Sequence, residues 1–386
     1  MRLVFIKLGD VAGWAQAQID AMVAACPEIS ILLDNLKTSE ASLHRMQAFL
    51  QEPDTVFVSY NGSFRIGPSP ATGAMPPAVL TSWYVDGPWV HYGAAAALPP
   101  GYVSLFCCED HAEASRYLGL EHRALFLPHG GPPPAAENCA LAGERPIDIL
   151  FVGNVGTPPD EKAFLAEETC VPGAYRPAIR AAARAQAATG IATLAAWTDA
   201  CRDRGVDLDG LDTAAKAEAL TSVERLGQIH ARSELFQSLP TGPRVVIAGD
   251  IAPGTLVPEG AEVLGPVGFE SVLQLFGQSK IVLNMTPKFR TGATERVWFA
   301  VSRGAVIASN PSRLLADFIE SDEMICLPSG RPDAWTNGLR RALDNPVRLA
   351  RMGERAVERY AAGHTWRHRF EGILPDIAEA GGGAGN

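Results

Sequence analysis

Lys288, Arg290, Thr291 and Thr294, with Gly292 among them, gather two cations and two hydroxyls in one short loop. They lie within residues 279–310, SKIVLNMTPKFRTGATERVWFAVSRGAVIASN. Ahead of the loop, Lys280-Ile281-Val282-Leu283-Asn284 reads as a buried strand. Behind it, residues 295–303 carry Val297, Phe299, Ala300 and Val301 at helical spacing, and Gly304 supplies the stop. Ala305-Val306-Ile307-Ala308 then resumes a strand. The loop groups therefore meet the start of a helix, whose unpaired N–H groups and positive dipole end suit a phosphate. An ordinary strand–helix–strand crossover with a solvated polar loop has the same composition, and this stretch alone leaves both readings standing.

The elements that must position this loop come from the rest of a chain of 386 residues, 47% apolar, long enough for two cores. The net charge of −10 and the scattered arginines argue against a nucleic-acid surface or an anionic membrane patch. No apolar run approaches the length of an integral membrane segment, and no charged start precedes an apolar signal core. The seven cysteines, at 26, 107, 108, 139, 170, 201 and 326, contain no CxxC pair and read as reduced thiols of a cytoplasmic protein.

Apolar runs at residues 2–8, 29–33, 55–60, 78–89, 103–107 and 124–128 alternate with helical spacing, which predicts a parallel sheet covered by helices. Glycine, proline and charge dominate residues 132–146 and read as a linker. A second α/β unit opens at Ile147-Asp148-Ile149-Leu150-Phe151-Val152 and continues through strands near 244–249, 261–264, 280–284, 305–308 and 324–327. Residues 178–239 are helical in composition and interrupt it. The expected organisation is an N-terminal Rossmann-like domain over residues 1–145, a C-terminal Rossmann-like domain over 146–379, and a disordered Gly/Ala tail over 380–386. Two doubly wound parallel sheets in tandem imply a cleft suited to a small molecule.

Several phrases, in order, resemble one family. Asp148-Ile149-Leu150-Phe151-Val152-Gly153-Asn154, Ser279-Lys280-Ile281-Val282-Leu283-Asn284, Glu295-Arg296-Val297-Trp298-Phe299-Ala300 and Gly304-Ala305-Val306-Ile307-Ala308-Ser309 are similar to the CgeB-like, spore maturation protein type of glycosyltransferase within the GT-B superfamily. His364-Thr365-Trp366-Arg367-His368-Arg369-Phe370 extends the likeness, and Ser82-Trp83-Tyr84-Val85-Asp86-Gly87-Pro88 and Leu127-Pro128-His129-Gly130 resemble the companion domain. The resemblance covers most of the chain apart from the helical insertion around 185–235.

That resemblance implies a transferase of GT-B fold that takes a sugar from a nucleoside diphosphate sugar without a metal or other cofactor. The donor would sit mainly on the C-terminal domain and an acceptor of unknown chemistry on the N-terminal one. Lys288, Arg290 and the helix N–H groups would stabilise the departing diphosphate, with Arg296 contributing if it turns toward the donor. Glu295 would accept bonds from ribose or sugar hydroxyls, or else is a first-turn acid favoured by the helix dipole. Gly153-Asn154-Val155-Gly156 after a strand would let the backbone approach phosphates, although it lacks the full dinucleotide fingerprint.

Asp86 stands where a general base for an acceptor hydroxyl belongs, and equally suits an Asx turn before Gly87-Pro88. His129 is a second titratable candidate, or a turn histidine. One departure matters: many retaining members carry two glutamates eight positions apart, and here Thr291 and Phe299 occupy those places. The retaining outcome is therefore not implied. A nucleotide-sugar epimerase of the same fold and a non-catalytic nucleotide-sugar-binding protein remain alternatives. Asp207-Leu208-Asp209 spells a metal-binding D-x-D but sits beside Gly210 in the helical insertion, and reads as a surface turn.

Overall fold

The structure, a computed structural model, describes residues 1–8, 13–35, 39–135, 144–156, 164–165 and 171–382. It forms two compact units, Met1–Pro132 with Gly363–Asn386, and Pro133–Ala362. The first holds strands β1 (Arg2–Ile6), β2 (Ser30–Leu33), β3 (Thr55–Tyr60), β4 (Val79–Tyr84), β5 (Val103–Phe106) and β6 (Arg123–Phe126), in the order β2-β1-β3-β4-β5-β6. Every pairing is parallel. Such a sheet is covered on both faces, which is why β3, β4 and β5 are almost wholly buried apolar or hydroxyl residues.

The second unit holds β7 (Ile147–Val152), β8 (Val245–Ala248), β9 (Glu262–Gly265), β10 (Ser279–Asn284), β11 (Val306–Ser309) and β12 (Ile325–Cys326), ordered β12-β11-β10-β7-β8-β9 and again parallel. The chain runs from β7 outward to β9, then returns to the other side of β7 as β10. The direction of winding therefore reverses between β7 and β10, the place where an open α/β sheet leaves a crevice at its strand ends. Residues 178–239, expected to be helical, contain the helices Arg176–Thr189, Thr193–Arg202 and Thr213–Gln237.

The first break, at Pro132/Pro133, falls in the expected linker, but residues from Gly363 onward, expected in the C-terminal domain, join the first unit. The reason is the apolar face of the helix Trp366–Gly382. Trp366, Phe370, Ile373 and Ile377 are buried in the same core as Phe5, Trp83 and Val103. Trp83 meets Trp366 edge-on at 5.2 Å and Phe5 meets Phe370 at 6.0 Å. Residues 380–382, placed by the sequence reading in a disordered tail, belong to this helix, and 383–386 lie outside the described residues. Most of the glycine loop at 9–13 and part of the expected linker lie outside them too.

Arg145, expected within that linker, is only 4% exposed. Its guanidinium donates to the carbonyls of Phe276 (3.3 Å), Ser279 (3.0 Å) and Arg303 (2.7 Å). It thereby satisfies the C-terminal ends of the helices Phe269–Gln278 and Glu295–Ser302, where carbonyls lack intrahelical partners and a cation is favoured. The helix that carries the candidate phosphate groups is fixed from below.

Candidate functional site

Gly153 leaves β7 with φ +140°, a conformation that strongly favours glycine, and a Cβ there would lie 3.1 Å from the Arg296 Nη2. Gly249 leaves β8 beside it, so close that a Cβ would stand 2.3 Å from the Gly153 carbonyl oxygen. The two exits are then zipped together: Asp250 N–H donates to the Asn154 Oδ1 at 3.2 Å and Val155 bridges Ile251 in parallel. Gly156 faces the Ile229 side chain of the Thr213–Gln237 helix.

From the other side of the reversal, Asn284 ends β10 as a buried side chain that joins four groups. Its Nδ2 donates to Ser309 at 2.9 Å and Thr286 at 3.3 Å, and its Oδ1 accepts from Thr294 at 2.9 Å and Arg296 at 3.2 Å. Asn310 adds bonds with both the N–H and the carbonyl of Thr286. Thr294 thus spends its hydroxyl on the strand end rather than on capping the helix that follows it. The outcome is a rigid polar floor at the ends of β10 and β11, from which Arg296 reaches across to Gly153.

Arg296 is not alone there. Its guanidinium carbon lies 5.6 Å from the centroid of the Phe151 ring, and that of Arg232 lies 5.5 Å from the same centroid. The Arg232 Nη1 donates to the Asn154 carbonyl at 2.5 Å, while its Nε is covered and has no hydrogen-bond partner. Both side chains stay partly exposed. Burial first, and then the Arg296 charge, push Arg232 down to about 9, with Glu295 opposing. Burial also lowers Arg296, again opposed by Glu295. Among the described residues, no carboxylate forms an ion pair with either guanidinium. Two like charges gathered with only the Glu295 charge, among the described residues, acting against them make an anion-attracting centre.

The expected phosphate cations are placed differently. The Lys288 Nζ lies 2.8 Å from the Glu224 Oε1, with side chains only 15% and 10% exposed, so its charge is committed to the Thr213–Gln237 helix. Arg290 is exposed, and its carbonyl accepts from Arg313 N–H at 2.8 Å. Thr291 and Glu295 are partly exposed, and Gly292 and Thr294 are buried. Phe299, where a glutamate was sought, is 1% exposed and packs edge-on against Phe269 at 5.3 Å. That position belongs to the core. Asp207 and Asp209 are exposed, and the Asp209 N–H donates to the Asp207 carboxylate at 3.0 Å, forming a turn.

In the first unit, Asp86 follows β4 on a loop where the Trp89 ring folds over Gly87, so near that a Cβ on Gly87 would overlap it. The Asp86 Oδ2 lies 3.5 Å from the His91 Nε2, and both side chains are partly exposed. His129 is 1% exposed, its ring edge-on to Trp83 at 5.0 Å and tilted to Trp366 at 6.3 Å. Arg369 donates to its carbonyl at 3.1 Å. His129 is thus part of an aromatic core, while Asp86 retains solvent access.

Arg232, Phe151, Gln228 and His91 were not among the sequence candidates. For Arg232 a signal exists: Glu224, Gln228 and Arg232 recur at four-residue spacing and form one polar stripe on a helix otherwise rich in buried apolar residues. Glu224 takes Lys288, Gln228 donates to the Met285 carbonyl at 2.5 Å, and Arg232 holds Asn154.

Residues 229–375 match the family model described as glycosyl transferase-like. No curated protein matches the chain. Among solved structures, AviGT4, a glycosyltransferase involved in avilamycin A biosynthesis, aligns at 15% identity over 93% of this chain and 97% of its own, with a TM-score of 0.41. The T4 phage β-glucosyltransferase in complex with UDP-glucose aligns at 9% over 98% of both chains, with a TM-score of 0.42. Anabaena HepE in complex with UDP-glucose aligns at 9% over 98% of this chain and 100% of its own, with a TM-score of 0.49. These likenesses are loose.

Proposed function

We propose that the protein is a nucleotide-sugar-dependent glycosyltransferase of CgeB-like type, working in the cytoplasm, whose donor diphosphate binds at the β7/β10 reversal. The observation that carries this reading is Arg296, anchored on Asn284 and lying against Gly153, with the Arg232 guanidinium against the same Phe151 ring. It lies inside the stretch that matches the glycosyl transferase-like family model. Asn154 and Gly156 offer backbone to the phosphates, and Gly153, whose N–H is bonded to the Ala248 carbonyl, allows close approach by lacking a side chain. The N–H groups at the start of the Glu295–Ser302 helix add the positive end of its dipole. Thr291, Gly292 and Thr294 shape the wall, and the exposed Arg290 adds an outer cation. Glu295 accepts from hydroxyls of ribose or sugar.

In the reaction so proposed, an acceptor hydroxyl oxygen forms a bond to the anomeric carbon as that carbon's bond to the diphosphate oxygen breaks. Negative charge accumulates on the diphosphate, where Arg296 and the helix N–H groups stabilise it without a metal. The hydroxyl proton passes to a base, for which Asp86 is the candidate. His129, in its aromatic surroundings, acts by packing. The test is incubation of the protein with a panel of nucleoside diphosphate sugars, with and without EDTA, measuring nucleoside diphosphate release. Release that survives chelation supports the reading; sugar interconversion without release, or binding without turnover on any acceptor extract, overturns it.

A further inference from the structure

We propose that Arg232, supplied by the helical insertion, is a second phosphate-binding cation of the donor site. Paired with Arg296, it selects a diphosphate over a monophosphate leaving group. This rests on the donor-site reading above and deepens it.

The geometry is that of a prepared pair. Phe151 is held edge-on by Phe236 at 5.1 Å, and both guanidinium carbons lie within 6 Å of its ring centroid, a distance at which a cation is attracted to the π face. The two guanidinium groups thus share one ring, and the Arg296 charge acts against that of Arg232. A single bond to the Asn154 carbonyl does not require a guanidinium; an amide would make it without the repulsion. The covered, partnerless Nε of Arg232 is a further donor left unspent.

What satisfies both arginines at once is a ligand with two adjacent anionic groups, each taking one planar fork of donors. A nucleoside diphosphate offers that. A monophosphate offers one group, which Arg296 and the Gly153 loop hold by themselves. The helix is anchored for the task, because Glu224 and Gln228, two and one turns before Arg232, are tied to Lys288 and the Met285 carbonyl on the loop leaving β10.

The experiment is calorimetric titration of the full-length protein with UDP, GDP, ADP and TDP, each beside its monophosphate. The wild type is expected to bind at least one diphosphate more tightly than the matching monophosphate. Arg232→Gln should then lose about tenfold or more in diphosphate affinity, the scale of a lost bond to a charged group, and keep its monophosphate affinity within about twofold. Phe151→Leu, which removes the π face, should move the ratio in the same direction by less, and Arg232→Lys should fall between. A diphosphate-to-monophosphate ratio unchanged in Arg232→Gln overturns the assignment while leaving the donor site in place. A wild type that binds none of these nucleotides overturns the donor-site reading itself.

Discussion

Arg232 and Arg296 come from helices far apart in the chain, and their guanidinium carbons stand 5.5 and 5.6 Å from the centroid of one ring, Phe151. The arrangement costs the empty protein something, because each charge is desolvated and Arg232 is repelled by Arg296. Where a fold tolerates such a cost beside a glycine loop, the cost has a use in binding.

Arg296→Gln should weaken nucleoside diphosphate binding by more than tenfold, since it removes a charge-assisted contact and the anchor on Asn284. Arg290→Ala should cost only a few-fold, because an exposed charge is screened by solvent. Titration calorimetry of the two variants ranks them; equal losses would mean that the outer loop carries the phosphate.

Burial and the Arg296 charge push Arg232 down to about 9, so diphosphate affinity should fall as pH rises through that range. The groups acting on it are Arg296, which lowers its pKa, and Glu295, which raises it. The folded value lies below the ordinary arginine range. The unfolded chain therefore holds the proton longer, and this group's penalty on folding is present below pH 9 and relieved above it. Binding and stability thus move in opposite directions with pH at this residue. A binding profile in which Arg232→Gln shows the same decline as the wild type would assign the titration elsewhere.

Arg232→Gln should leave the melting temperature unchanged or raise it, since it removes a desolvated, repelled charge. Lys288→Ala should do the reverse. It breaks the nearly buried Lys288–Glu224 ion pair and so should lower the melting temperature. Thermal unfolding of both variants, without ligand, separates a binding cation from a structural one.

Gly249→Ala should be among the most damaging small substitutions in the second unit. Its φ of +143° is strained for alanine, and the new Cβ would run into the Gly153 carbonyl. Gly153→Ala shares the backbone strain at φ +140°, but its Cβ would meet side chains, the Arg296 Nη2 at 3.1 Å and the Phe151 ring at 3.6 Å, and no backbone. It should therefore fold better than Gly249→Ala and bind donor worse than the wild type. Yields and melting curves of the pair check the order.

Asp86→Asn should abolish turnover and leave diphosphate affinity intact, whereas His129→Phe, which keeps a ring among Trp83 and Trp366, should retain activity. Rates of diphosphate release and titrations on both variants test this. Full activity of Asp86→Asn removes it as the base.

The strands were legible because parallel sheets need continuous buried β-branched runs, and Thr55–Tyr60 and Ser279–Asn284 are such runs. The loop after β10 was legible as polar and helix-initiating. What each of its cations does was not. Lys288 is answered by Glu224 and Arg232 reaches Asn154 only through the docking of a helix whose position no local pattern reveals. The final helix escaped for a different reason: Trp366, Phe370, Ile373 and Ile377 are spaced as one apolar face, but the core they fill was made far earlier in the chain.

That last helix bears on how the protein is made. The core of the first unit is incomplete until residues 366–377 exist, and residues 133–362 are translated before them. At roughly 5–20 residues per second, the first sheet waits about 10–50 s for its closing helix while the second unit can already fold. During that interval Phe5 and Trp83 lack their contacts with Phe370 and Trp366. Order of birth and order of completion are reversed in this molecule.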